Sequence, residues 1–383
     1  MTTDFTAHNA QQAAVWKSYH EGQPSRVPMI IGLSSRYTLL SPLANPEGID
    51  AEQFFCDPRA MFTHLLRKQH FLRHHLPCDQ EMGLPAQWTV SVDFQNSYEA
   101  LWFGCPLHFR AGQVPDTTPI LFDDNKHLLF DRGLPEPFPE SGWMARAWEY
   151  YEQFLEWAQT EEFHGRPIGV AGLPGLSTDG IFTTACALRD PTALLMDLYT
   201  DPDYVHELLN YLTEAIIRRI KAYRQRLGQP AQSQSCGLAD DAIQMLSPRH
   251  YTAFVLPYHR RLVAEFGAAG PNSMHLCGDA TRHFRVIRDE LKMMTFDTGF
   301  PVDFAWLRQE LGPAVTIYGG VHVEILRAGP PEAIRREVKR IMESGIREGG
   351  KFVFREANNL APYTPPEHVA VMYEAVKEFG RYA

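Results

Sequence analysis

Asn272-Ser273-Met274-His275-Leu276-Cys277 runs directly into Gly278-Asp279. A short, mostly apolar run closed by a glycine turn reads as a buried strand. The two-residue period of a strand puts His275 and Cys277 on one side and Met274 and Leu276 on the other. An imidazole and a thiol aimed at one spot suit zinc. Taken alone, the pair reads more often as a satisfied core histidine beside a buried apolar cysteine. The surrounding pattern raises the metal reading.

Similar apolar runs recur at 26–32, 89–94, 167–172, 233–238, 293–298, 315–319 and 351–356, which with 272–277 makes eight. Helical patterns separate the later ones. After Asp201-Pro202, the residues Val205, Leu208, Leu209, Leu212, Ile216 and Ile220 share one face. Ser247-Pro248 opens another helix, with proline suited to the first helical position. Pro330-Pro331-Glu332 opens a third, with Ile334, Val338, Ile341 and Met342 inward. Pro365-Pro366-Glu367 opens the last, with Val369, Met372, Val376 and Phe379 inward. Strands alternating with helices predict a parallel α/β sheet, and eight of them predict a closed (β/α)8 TIM barrel. The rival, an open doubly wound sheet, lacks a G-x-G-x-x-G after the first strand for its dinucleotide-binding form.

Residues 1–25 predict an N-terminal helical extension packed outside the barrel. Residues 95–166 are too many for a simple loop. They hold a proline-rich segment (Pro135, Pro137, Pro139) and then an aromatic helix from Trp143 to Trp157, and predict an insertion over the barrel mouth. Residues 1–383 read as one domain.

The chain of 383 residues is 44% hydrophobic and 21% charged, an ordinary globular composition. Its net charge of -10, with no lysine- or arginine-rich stripe, argues against nucleic-acid binding. A basic leader followed by an apolar core is missing, and no apolar run reaches membrane-spanning length, so the expectation is a cytoplasmic protein without a membrane partner. Six scattered cysteines lack the spacing of a disulfide framework and predict free thiols.

Barrel enzymes work at the C-terminal ends of their strands. There the first strand delivers Ser34, Ser35, Arg36 and Tyr37, and the second Asp93 and Asn96. Asp179 follows the third and Asp240-Asp241 the fourth; His275, Cys277 and Asp279 come from the fifth, and Asp297 from the sixth. His322 follows the seventh, and the eighth supplies Glu356, Asn358 and Asn359. Arg36, Tyr37, Asp240 and Asp241 are candidate catalytic residues. Asp93, Asn96, Asp179, His322, Asn358 and Asn359 are candidate substrate binders. Each also has a plain structural reading: a helix cap, a turn brace or an ion pair. Catalytic zinc takes three protein ligands. Glu356, His322, Asn358 and Asp240 compete for the third place, with Cys236 on the neighbouring strand. Glu356 is the best by chemistry, because a carboxylate binds zinc better than an amide.

With these residues in view, the chain resembles the uroporphyrinogen decarboxylase superfamily, which includes cobalamin-linked methyltransferases. The run from Asn358 to His368, NNLAPYTPPEH, is similar to its closing motif. Asp240-Asp241 with Ser247-Pro248 and Leu256-Pro257-Tyr258 is similar to its central motif, and Ser35-Arg36-Tyr37 to the Gly-Arg-Tyr of its first strand. The resemblance implies a (β/α)8 barrel that pairs as a homodimer. Its decarboxylases use no metal and hold substrate carboxylates with arginines and an essential aspartate. Here the Arg-Gln before the Gly-Arg-Tyr is missing, and only Asp79 and Asp93 approximate that aspartate. Its methyltransferases bind zinc through H-x-C on the fifth strand and a closing cysteine. His275 and Cys277 match the first motif; Asn358 stands where the closing cysteine would be. The implied activity is zinc-dependent methyl transfer between a small methyl donor or thiol and a corrinoid. No Asp-x-His-x-x-Gly corrinoid motif is present, so the corrinoid would ride on a partner protein. The alternatives are a metal-free decarboxylase of a porphyrinogen-like or smaller carboxylate, and a non-catalytic ligand- or corrinoid-binding barrel.

Overall fold

Five strands form one parallel ladder in which chain neighbours are also spatial neighbours: Gly237–Ala239, Asn272–Leu276, Met293–Thr298, Thr316–Gly319 and Phe352–Phe354. They belong to a computed structural model that describes residues 4–382; residues 1–3 of the expected extension, and Ala383, lie outside the described residues. Parallel neighbours need a long crossover. Leu256–Phe266, Phe284–Leu291, Phe304–Leu311 and Pro331–Met342 supply these, and Pro366–Phe379 follows the last strand. The predicted apolar faces are the buried ones: Val205, Leu208, Leu209, Leu212, Ile216 and Ile220 of the helix Pro202–Arg226 are all covered.

A second group pairs Trp88–Ser91 with Arg166–Gly172 in parallel, and adds Glu162–Phe163 antiparallel at the start of the latter. The expected first strand, 26–32, contracts to a parallel bridge between Met29 and Phe354. Ile30 N donates to Phe354 O at 2.9 Å, and Phe354 N donates to Pro28 O at 2.8 Å. Pro28 has no N–H to extend the ladder. The expected strand at 233–238 begins late, at Gly237.

The result is a TIM-barrel-like α/β architecture. Among the described residues the ladder is not continuous between 26–32 and Trp88–Ser91, or between Arg166–Gly172 and Gly237–Ala239. A side chain crosses the second seam. Asp240 accepts from Phe182 N at 3.0 Å and from Thr183 N and Oγ1 at 2.8 Å each, capping the helix Ile181–Arg189. Gly180 permits this approach: its φ is +114°, and a Cβ there would lie 2.5 Å from Asp240 Cα.

The N-terminal helix, Thr6–His20, docks through Asn9, whose side chain exchanges hydrogen bonds with the Met82 backbone at 2.9 Å. Within the expected insertion, Trp143–Thr160 packs on Arg166–Gly172 and so serves as the crossover between the parallel strands Trp88–Ser91 and Arg166–Gly172. The true elaboration is the stretch before it, with the short helices Tyr98–Trp102 and Leu128–Arg132 and a small hairpin, Leu107–His108 with Asp116–Thr117. Its anchor is a fully buried ion pair. Arg219 donates to Glu99 Oε1 at 2.6 Å, and its guanidinium lies 4.8 Å from the Trp102 ring centroid. Glu99 Oε2 accepts from Thr178 Oγ1, Asp179 N and Thr184 Oγ1 at 2.9 to 3.0 Å.

Glu99→Ala strands a buried guanidinium, and should lower unfolding free energy by about 3–5 kcal/mol in urea titration. Glu161→Ala removes only the exposed partner of Arg59 and should change it by less than about 1 kcal/mol.

Candidate metal centre at the strand ends

Met274 and Leu276 point into the covered side of their strand, while Ser273, His275 and Cys277 are half-buried on the other. Asp241 opens the short turn Asp241–Met245 that follows Gly237–Ala239. One ligand atom each from Asp241, His275 and Cys277 lies within 4.8 Å of the other two. His275 Nε2 is 3.1 Å from Cys277 Sγ. The Cys277 backbone N–H donates to Asp241 Oδ1 at 2.7 Å, and Asn358 Oδ1 lies 3.2 Å from the sulfur.

The opposite edge of the imidazole is fixed. Nδ1 lies 2.8 Å from Asp297 Oδ2, and an ionised carboxylate only accepts, so Nδ1 carries the proton and Nε2 is the ligand atom. Parallel register brings this about, since His275 and Asp297 are direct cross-strand partners. Arg355 locks Asp297 in turn, donating to the same oxygen at 2.7 Å, to Glu356 Oε1 at 2.8 Å and to Asn358 O at 2.5 Å.

Burial works against charge on His275, but Asp297 and the neighbouring thiol outweigh it and lift the ring to about 10. Burial pushes the Cys277 thiol up, with His275 pulling the other way. A metal ion would displace the protons these groups hold. A nitrogen, a sulfur and a carboxylate oxygen match the donor set of catalytic zinc. The residues fit that ion.

The structure redistributes the expected roles. Glu356 is fully buried away from this cluster. Its Oε1 accepts from Gly32 N at 2.9 Å and from Arg355, and burial pushes its carboxyl up to about 7 against the pull of Arg355. The carboxylate beside His275 and Cys277 is that of Asp241 instead. Asp240, expected as catalytic, has both oxygens engaged in the helix cap and accepts from His259 Nε2 at 3.0 Å besides. Tyr37, also expected as catalytic, is buried and donates its hydroxyl to Thr364 O at 2.9 Å. His322 caps Val323–Ala328 by accepting from Glu324 N at 3.1 Å. Asn358 joins the cluster, whereas Asn359 is exposed. Arg36 donates to Gln95 Oε1 at 2.8 Å and to Asn96. Asp93 accepts from Ser35 Oγ at 2.5 Å with Lys68 at 3.8 Å. Asp179 is half-buried, and burial beside Glu99 raises its carboxyl well above the usual range.

Two residues enter that motif reading passes over, Arg355 and Gln244, and Asp297, expected only as a strand-end residue, gains a definite role. Asp297 and Arg355 hold the ligand histidine. Gln244 lies against Gly278, its Oε1 standing 1.8 Å from where a Cβ would fall, and the φ of +70° there favours glycine. Placing the strands at 272–277 and 293–298 in register would have paired Asp297 with His275; nothing comparable signals Gln244.

A family model for uroporphyrinogen decarboxylase (URO-D) matches residues 175–379, more than half of the chain. The chain belongs to the uroporphyrinogen decarboxylase family. The uroporphyrinogen decarboxylase of Thermosynechococcus vestitus is 28% identical over 185 residues, covering 48% of this chain and 51% of its own length. That of Granulibacter bethesdensis is 27% identical over 292 residues, covering 73% and 76%. The match thus spans about half the length of the first relative. A solved methyltransferase from Methanosarcina mazei aligns over 96% of this chain and 98% of its own, with a TM-score of 0.64 at 18% identity, a likeness of fold. The uroporphyrinogen decarboxylase match contains Asp241, His275, Cys277, Asp297 and Arg355; Arg36, Asp93 and Gln95 precede it.

After chelation and reconstitution with zinc, Asp241→Ala, His275→Ala and Cys277→Ala should each fall from about one ion per chain to below about a tenth, measured by mass spectrometry of metals. Glu356→Gln should keep a full complement, with circular dichroism confirming that all four variants fold.

Proposed function

We propose that the protein is an enzyme of the decarboxylase/methyltransferase type that works at a zinc ion held by Asp241, His275 and Cys277. The convergence of three unlike donor atoms within 4.8 Å at the strand ends carries this reading. Zinc bound there would supply a Lewis acid and favour ionisation of a coordinated thiol or water. The remaining work belongs to the chain. Asp297, held by Arg355, keeps the proton on His275 Nδ1 and turns Nε2 inward. The Cys277 backbone orients Asp241. Asp179, whose carboxyl burial beside Glu99 raises well above the usual range, is the candidate proton donor. Arg36, with Gln95 and Asn96, positions the substrate.

The finer reading is methyl transfer between a small donor or thiol and a corrinoid on a partner protein. It would take place in a cytoplasmic enzyme whose eight strands close one barrel domain over 1–383. No helix of the described residues is long and apolar enough to cross a membrane, and all six cysteines are free thiols, which suits a reducing compartment.

Metal-free decarboxylation of a carboxylate is the second reading. The comparisons favour it over methyl transfer, because the matched curated relatives bear the name uroporphyrinogen decarboxylase. Of the two approximate counterparts of the decarboxylase aspartate, Asp79 is spent. It takes hydrogen bonds from both Arg26 amino groups, Met29 N and Tyr373 OH, and is fully buried. Asp93 is the one left near open space.

Two assays with and without chelator separate the readings. One follows methyl transfer from a methylated corrinoid to a thiol, and the other follows CO2 release from porphyrinogen and smaller carboxylates. The proposal expects methyl transfer that chelator abolishes and zinc restores. CO2 release indifferent to chelator establishes the second reading instead.

A further inference from the structure

Among the described residues the ladder is open between Arg166–Gly172 and Gly237–Ala239, so no pairing across this seam fixes where the second strand ends. Asp241 stands just past that end, at the start of its turn. The Cys277 N–H holds one of its oxygens at 2.7 Å. What holds the backbone on either side of it comes from across the seam. Thr183, in the first turn of the helix Ile181–Arg189, bonds to both residues that flank Asp241. Its hydroxyl donates to Asp240 Oδ1 at 2.8 Å and accepts from Ala242 N at 3.0 Å. Its own backbone N–H also donates to Asp240 Oδ1, at 2.8 Å. One side chain thus pins the chain before and after the ligand residue.

Asp240 is braced from its other oxygen as well. Oδ2 accepts from Phe182 N and His259 Nε2, both at 3.0 Å. With Nε2 donating there, His259 Nδ1 is left to accept from Tyr251 OH at 3.1 Å. Asp240, His259 and Tyr251 are all withdrawn from solvent. A buried polar network whose members are satisfied is rigid, so it fixes the residue that adjoins it. Metal affinity depends on the ligands being held in place by the groups behind them. We infer that Thr183 is a positioning residue for the metal centre: its hydroxyl staples the turn so that the Asp241 carboxylate meets His275 and Cys277. This rests on the proposed metal reading and deepens it with a residue outside the ligand set.

Zinc affinity of the full chain, measured by competition with a chromophoric chelator, tests it together with hydrogen exchange of the segment 240–245 in the zinc-free protein. Thr183→Val keeps the shape and loses the hydroxyl; Asp240 retains its three other donors, so the helix cap survives. That variant should bind zinc about tenfold or more weakly, as loss of an outer partner does. Its segment should exchange faster, because the Ala242 N–H has lost its acceptor. Thr183→Ser restores the hydroxyl and should bring both readouts to within about threefold of wild type. Thr213→Val removes a buried hydroxyl that serves only Leu209 O, in the helix Pro202–Arg226, and should leave both unchanged. Unaltered affinity or exchange in Thr183→Val, Thr183→Ser as weak as Thr183→Val, or an equal loss in Thr213→Val overturns the inference. Zinc held equally by wild type and Thr183→Val defeats this inference alone; a wild type that holds no zinc defeats the metal reading and the inference with it.

Discussion

The hydrogen bond between His275 Nδ1 and Asp297 governs what the strand ends can do. It fixes the tautomer, and so decides which nitrogen faces the sulfur of Cys277 and the carboxylate of Asp241. Outer partners of this kind orient metal-binding histidines, and losing one typically weakens metal affinity by about 10–100-fold. The bond exists because two adjacent parallel strands place their residues in register, and Arg355 from the last strand completes the lock. Three strands thus cooperate in holding one imidazole.

Buried charge serves the same end elsewhere. Glu99 with Arg219, Asp79 with Arg26, and Glu356 with Arg355 are all withdrawn from solvent. Such pairs add little net stability, but leaving one half unpaired is strongly unfavourable, so they fix the arrangement of the segments they join. The Glu99 pair ties the elaboration to the loop bearing Asp179. The Asp79 pair ties the first strand segment, through Met29, to the C-terminal helix, through Tyr373. The carboxylates left over for chemistry are the half-covered ones: Asp241, Asp179 and Asp93.

Much of this was legible in the chain. Periodicity located the five-stranded ladder and the apolar faces of its helices, because both depend on local repeats. His275 and Cys277 were legible for the same reason, being two residues apart on one strand. What escaped depended on register or on competition between neighbours. Asp297 is a ligand partner only once its strand is aligned with that of His275. Glu356 is the better ligand on chemical grounds alone, yet the adjacent Arg355 and the Gly32 amide claim it. Asp240 and Asp241 are indistinguishable in sequence, and the turn that follows Gly237–Ala239 sends one to a helix cap and the other to the cluster. The aromatic helix at Trp143–Thr160 was visible; its role as a crossover between parallel strands was not, because a long irregular segment precedes it.

On the proposed reading one imidazole, one thiolate and one carboxylate share an ion. X-ray absorption at the zinc edge of the reconstituted full chain tests it most directly. A single sulfur is expected at about 2.3 Å, with the remaining shell of nitrogen and oxygen at about 2.0–2.2 Å. A shell without sulfur, or a chain that retains no zinc, contradicts it.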